Sequence, residues 1–130
     1  MKHDPYCLGD RFSAHGGMKV IKLGPSYAEA EVTIEDYHLN SIDIPHGGVY
    51  FFLADLAFGA ANNYLENSMV TLDSTIEFIA SAKLGDVVTA YCKEVSSTRR
   101  IKRHRIEVRD QDGKLLTVIN CTGYAKKPTS

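Results

Sequence analysis

A chain of 130 residues, 44% hydrophobic and 24% charged, has the size and composition of one globular domain with a real core. A net charge of −1 excludes any global attraction for nucleic acid, and no apolar run is long enough to span a bilayer. Cys7, Cys92 and Cys121 are odd in number and lack CxxC spacing, which argues for reduced thiols in a cytoplasmic protein rather than a zinc site or disulfide framework.

The first residues, Met1 to Pro5, lead into no apolar segment of the signal-peptide kind. With no repeat or linker, residues 1–130 are expected to form a single domain. Asp4 to Ala14 reads as a short helix, with Asp4 as N-cap and Pro5 in its first turn. His15-Gly16-Gly17 reads as a turn into a strand. Met18–Leu23 and Tyr27–Ile34 flank Gly24-Pro25-Ser26. In the second run Ala28, Ala30, Val32 and Ile34 alternate with Glu29, Glu31 and Thr33, the pattern of a hairpin strand with one buried face. Residues 35–45 form a long loop, and long ordered loops tend to carry function.

The stretch from Pro45 to Tyr64 dominates the chain. A proline, His46, Gly47 and Gly48 precede an apolar run in which Asp55 is the one charged residue between Val49 and Ala61. The spacing predicts a helix of four to five turns ending near Asn62-Asn63. Being apolar on nearly every side, it should be buried all round. A carboxylate in such a helix is costly to bury, so Asp55 is a candidate functional group. Four strand-like runs follow: Met69–Ala80, Asp86–Ser96, Arg100–Arg109 and Leu115–Ala125. Gly85 and Asp112-Gly113 mark turns between them. The order is strand, strand, helix, then four strands: an α+β layout with a long antiparallel sheet curled around one helix.

The element order and the string Asn40-x5-His46-Gly47-Gly48-x6-Asp55-x-Ala57 resemble the hotdog-fold acyl-CoA thioesterases of the phenylacetyl-CoA thioesterase type. Phe78 to Asp86 also looks like that family's strand end and turn. The resemblance covers about Asp4 to Lys126. It implies a hotdog fold and hydrolysis of an acyl-CoA thioester by a homodimer, with assembly to a tetramer. It maps the carbonyl-polarising N–H to Gly47, the nucleophile or general base to Asp55, a positioning amide to Asn40 and an assisting hydroxyl to Thr71.

The residue chemistry agrees. A helix N-terminus offers free N–H groups and a favourable dipole, and Gly47 and Gly48 let an acyl group approach closely. No metal or cofactor is needed for that chemistry. His46 reads first as a residue that fixes the start of the helix through hydrogen bonds. Gly47 and Asp55 are eight residues apart, or about 12 Å along one helix. If both act on one carbonyl, they must come from different subunits, which points to sites shared across a two-fold dimer. Phe51, Phe52, Phe58 and Gly59, at helical spacing from Asp55, are candidates to line an aryl or medium-chain acyl pocket. Arg99, Arg100 and Lys102 could hold CoA phosphates or belong to a charged edge strand. His15-Gly16-Gly17 precedes a strand, not an apolar helix with an acid, so no catalytic role is expected of it. The alternative function is a non-catalytic acyl-CoA binding or sensing module on the same fold. A hydratase would need His46 as a base.

Overall fold

The computed structural model describes residues 10–63 and 69–126. Six strands form one antiparallel sheet: β1 (Lys19–Gly24), β2 (Tyr27–Thr33), β3 (Met69–Phe78), β4 (Val87–Ser97), β5 (Ile101–Arg109) and β6 (Leu115–Ala125). Their spatial order is β1-β2-β4-β5-β6-β3, so β1 and β3 are the edges. The 17-residue helix α2 (Gly47–Asn63) lies against one sheet face and touches all six strands. This is the α+β hotdog architecture.

The strands follow from alternation. On β2, Ala28, Ala30 and Val32 are buried while the residues between them are not. On β5, His104, Ile106 and Val108 turn inward between charged neighbours. The β1–β2 hairpin turns through Pro25 and Ser26, with Ser26 in the left-handed region at φ 55°. Gly113, at φ 84°, supplies that conformation between β5 and β6, where a side chain would be strained.

Four expectations need correction. The first helix is short: α1 (Arg11–His15) is capped by Asp10, whose carboxylate accepts hydrogen bonds from Ser13 N and Ser13 Oγ, both at 3.1 Å. Asp10 is itself extended, so a helix running from Asp4 is broken there; Asp4 and Cys7 lie outside the described residues. Second, the long loop contains a 3-10 turn, Asp36–His38. Third, β5 runs in the interior of the sheet, so its basic residues do not protect an edge.

The fourth correction concerns α2. Leu53, Ala54, Ala57, Phe58 and Ala61 are buried against the sheet, but Phe52 and Asp55 are exposed and Gly48 and Gly59 half-exposed. The sheet of one chain covers one side of a helix. On the opposite stripe, at spacings of three and four residues, Phe52 packs against Phe12 of α1.

Candidate active site at the start of the central helix

The start of α2 is held by a chain of hydrogen bonds. His46 N donates to the His38 carbonyl at 2.8 Å, and the His46 carbonyl accepts from Val49 N at 2.9 Å. His46 Nδ1 accepts from Gly48 N at 3.1 Å. That is an N-cap made by an imidazole: one of the helix's orphan N–H groups is satisfied by the side chain just before the helix. Accepting at Nδ1 leaves the proton of the neutral ring on Nε2. Among the described residues, Gly47 N–H makes no hydrogen bond, so it stands at the positive end of the helix without a partner.

His38 anchors this start to the rest of the chain. It is buried, its Nδ1 accepts from Glu35 N at 2.9 Å, and its Nε2 donates to the Gly16 carbonyl at 2.6 Å. The turn after α1 and the start of α2 are thereby fastened to one imidazole. Within the long loop of residues 35–45, the sequence assigned this histidine no role of its own. Its signal was a lone histidine in a long loop two residues before Asn40, too common a pattern to single out.

Asn40 belongs to the loop itself. Its Oδ1 accepts from Ile42 N at 3.0 Å and from Ile44 N at 3.3 Å, an Asx-type turn that shapes the approach to Pro45. The Phe78 ring lies on Gly47: a Cβ there would stand 2.9 Å from Phe78 Cε1. That close approach explains a glycine at the first helical position, and Phe78 is 59% exposed on its other side.

Asp55 stands two turns further along, on the open stripe of α2. Its carboxyl is held above the ordinary carboxylate value, first by desolvation and second by the negative charge of Asp10. Its charge also contributes, after burial, to holding the Cys121 thiol on β6 above the ordinary thiol value. Thr71, on edge strand β3 opposite Gly123, is exposed.

The candidate pocket residues separate. Phe52 reaches an open cleft and packs edge-to-face on Phe12, with ring centroids 4.4 Å apart. Phe51 is half-buried, and Gly59 has open space where a side chain would be. Phe58 goes elsewhere: it is 1% exposed, edge-to-face with His104 at 5.2 Å, and so close to Gly123 that a Cβ there would stand 2.6 Å from Phe58 Cζ. Phe58 is therefore core. The reason is angular: residues three and four positions after Asp55 fall on opposite sides of it, Phe58 toward the sheet and Gly59 toward the open stripe.

The basic cluster also lies apart. Arg100 Nη1 donates to Tyr124 Oη at 3.0 Å and to the Ala125 and Lys126 carbonyls at 3.2 and 3.0 Å. Lys102 Nζ is 3.3 Å from Ser26 Oγ and 3.9 Å from the Glu94 carboxylate. Ala125 pairs with Met69, whose N donates to Asn63 Oδ1 at the last residue of α2. Within one chain, Arg99, Arg100 and Lys102 thus gather near the opposite end of the helix from Gly47, about 24 Å away along the 17-residue axis.

A cleft of about 500 Å³ opens beside the start of the helix, between α1, the 3-10 turn and the first turns of α2. Its wall includes Phe12, Met18, Tyr37, Leu39, Val49 and Phe52, and it reaches His46 and Gly48. His15 and Gly16 also line it, so the first His-Gly-Gly is a structural neighbour of the second. No described group of three or more His, Cys, Asp or Glu residues could hold a metal ion. No helix of the described residues is long and apolar enough to cross a membrane.

A curled antiparallel sheet, a single central helix and a glycine-led helix start define a hotdog domain equipped for thioester chemistry. The chain belongs to the Thioesterase superfamily, whose sequence pattern matches residues 44–117, and it is a thioester hydrolase. A variant of the phenylacetic acid degradation protein PaaI from Thermus thermophilus is 31% identical, with a TM-score of 0.84 over 88% of this chain and 98% of that one. The PaaI protein of Escherichia coli superposes with a TM-score of 0.87 at 26% identity, over 92% of this chain and 87% of that one. In sequence, the acyl-coenzyme A thioesterase PaaI of Escherichia coli is 28% identical over 102 residues, 78% of this chain and 73% of its own.

Proposed function

We propose that this protein hydrolyses an aryl- or medium-chain acyl-CoA to the free acid and CoA, in a site shared by two subunits. In this reading the thioester carbonyl oxygen accepts a hydrogen bond from Gly47 N–H, where the helix dipole favours the developing oxyanion. Asp55 of the partner subunit attacks the carbonyl carbon, or removes a proton from the water that does. CoA leaves as the thiol, and the water supplies the acid's second oxygen. His46 holds Gly48 N–H, so Gly47 N–H is the donor left for substrate. Asn40 shapes the loop that delivers His46, and Thr71 stands on the edge strand beside the second subunit.

The observation that carries this reading is the pairing of an unpartnered Gly47 N–H with an open-faced Asp55 on the same helix, two turns away. Eight residues of helix, about 12 Å, keep them from one carbonyl within a chain. Edge strand β3 exposes Val70, Leu72 and Phe78. A two-fold partner laid along that edge would cover the apolar side chains and run its helix antiparallel to this one. Gly47 of each chain would then face Asp55 of the partner subunit. The partner's basic cluster would project past the start of this helix, where CoA phosphates leave the site. A CoA-bound thioesterase from Streptococcus pneumoniae shares the fold at 23% identity. Tetramer assembly and a cytoplasmic location are further parts of this proposal.

The test is release of CoA thiol from aryl and aliphatic acyl-CoAs by wild type and Asp55→Asn side by side. The expected result is turnover that falls about 10²- to 10⁴-fold in the variant, the range for loss of a positioned base. Equal rates would remove Asp55 from the mechanism. Saturable binding without turnover in wild type would make the protein a sensing module. Mixing Asp55→Ala chains with chains disabled at Gly47 should restore activity, since one of two sites would be whole.

A further inference from the structure

We infer that α1 carries the Asp10 carboxylate over the open stripe of α2 to act through space on Asp55, which makes Asp10 a positioning residue of the reaction. This rests on Asp55 being the base or nucleophile, as proposed above. The end of α1 is tied to the start of α2: the Gly16 carbonyl accepts from His38 Nε2 at 2.6 Å, and the His38 carbonyl accepts from His46 N at 2.8 Å. One turn back along α1, Phe12 meets Phe52 edge-to-face, with ring centroids 4.4 Å apart. The two helices therefore run antiparallel, and the chain before Phe12 heads toward the residues after Phe52. Asp10 precedes Phe12 by two residues, and Asp55 follows Phe52 by three on the same stripe. Each step is about 3–5 Å along its axis, so the two carboxylates are brought to the same level of the stripe.

The charge that α1 presents there is negative because of its cap. The first turn of a helix has free N–H groups that would attract a carboxylate. Here the Asp10 side chain accepts from Ser13 N and Ser13 Oγ, both at 3.1 Å, and puts a like charge in their place. Among the described residues no lysine or arginine forms an ion pair with Asp10 or Asp55, and the neighbouring Arg11 is exposed. The Cys121 thiol on β6, which interacts with Asp55 and with Asp73 of β3, is kept protonated by burial and brings no charge of its own. After desolvation, Asp10 is thus the second cause that disfavours the Asp55 carboxylate. A carboxylate repelled in this way is the stronger base.

The test removes the charge and keeps the cap. Asparagine and serine cap a helix about as well as aspartate, so Asp10→Asn and Asp10→Ser lose the carboxylate alone, while Asp10→Glu keeps it. kcat/KM is measured against pH with an acyl-CoA that wild type hydrolyses. In Asp10→Asn the acid limb should move to lower pH by about half a unit, the size of repulsion between partly solvated like charges. The plateau should fall by less than about threefold, because the base is weaker. Asp10→Ser should match Asp10→Asn, Asp10→Glu should follow wild type, and salt should shrink the difference between the two groups. A second readout needs no turnover: the Asp55 carboxyl is titrated by NMR in the substrate-free protein, its signal assigned by its loss in Asp55→Asn. That midpoint should fall by the same amount in Asp10→Asn. Unchanged midpoints in Asp10→Asn, or the same shift in Asp10→Glu, would overturn the inference. Activity lost in Asp10→Ala alone, with both midpoints in place, would make Asp10 a helix cap only and overturn it equally. The NMR arm answers even if no acyl-CoA is hydrolysed, so failure of the thioesterase reading and failure of this inference are separate outcomes.

Discussion

The two sides of α2 are made of similar residues and have opposite fates. Toward the sheet, Leu53, Ala54, Ala57, Phe58 and Ala61 are buried, and Phe58 presses onto Gly123. Away from it, Gly48, Phe52, Asp55 and Gly59 form an exposed or half-exposed stripe, on which Phe52 packs against Phe12 of α1. Hydropathy alone cannot tell the sides apart, because both read as apolar helix surface. Only Asp55 and the two glycines mark the second side, and they mark it by what a core would not choose. The first side is filled by its own sheet; the second keeps space at Gly59 and a carboxylate at Asp55.

The largest expected effect separates the sides by stability. Phe58→Ala should cost about 3–5 kcal/mol, the range for emptying a buried aromatic site. Phe52→Ala, which loses mainly the edge contact with Phe12, should cost about 1 kcal/mol. Chemical denaturation of both variants measures the gap, and equal costs would break the distinction between core and site. His38→Phe should come next. It keeps the ring but leaves Glu35 N and the Gly16 carbonyl without their side-chain partner, at about 1–3 kcal/mol for each group that water does not reach. Because His38 also holds His46 through its backbone, kcat should fall further than the loss of folded protein accounts for. Activity normalised to the folded fraction checks this.

The fold was largely legible in the chain. Alternation on Tyr27–Ile34 and the Asp112-Gly113 turn mark their strands because a half-buried strand repeats every two residues. The helix and its glycine start were equally plain. The site was legible only in part. His46, Gly47 and Asp55 stand out by residue type, but Phe58 was read toward the pocket because a helical wheel gives angles between residues and not which angle the sheet covers. The part His38 plays in holding the start of α2 was not legible, because it works through tertiary contacts that local sequence does not encode. Arg99, Arg100 and Lys102 read as candidates for CoA phosphates or for a charged edge strand; β5 is interior, and Arg100 and Lys102 pair with carbonyls, hydroxyls and Glu94 within the chain, contacts that local sequence does not show.

Gly59 sharpens the comparison further. A Cβ built there meets nothing within 4 Å, so in an isolated chain Gly59→Leu should stabilise α2 by about 1 kcal/mol through helix propensity. If a second chain lies on this stripe, the added side chain stands in the interface. The expected outcome is a shift toward monomer by analytical ultracentrifugation, with a monomer no less stable than before. A variant that stays oligomeric and gains stability would place the interface elsewhere.

The smallest effect tests why Asp55 is kept. Its carboxyl titrates above the ordinary value because desolvation, and then Asp10, disfavour the charged form in the folded chain. A group whose folded value is raised favours folding while it is protonated, and that contribution is lost as pH rises through the folded value. At neutral pH the Asp55 carboxylate is therefore a net cost, and Asp55→Asn should raise the melting temperature there. The group is exposed in the single chain, so screening keeps the gain below about 1 kcal/mol. Lowering the pH below the unfolded carboxylate range should erase the difference, since both proteins are then uncharged at this position. A variant less stable than wild type at neutral pH would mean that Asp55 is held by favourable partners and serves structure. A variant that is more stable and inactive would mean that the helix gives up stability to keep a raised, reactive carboxylate on its open side.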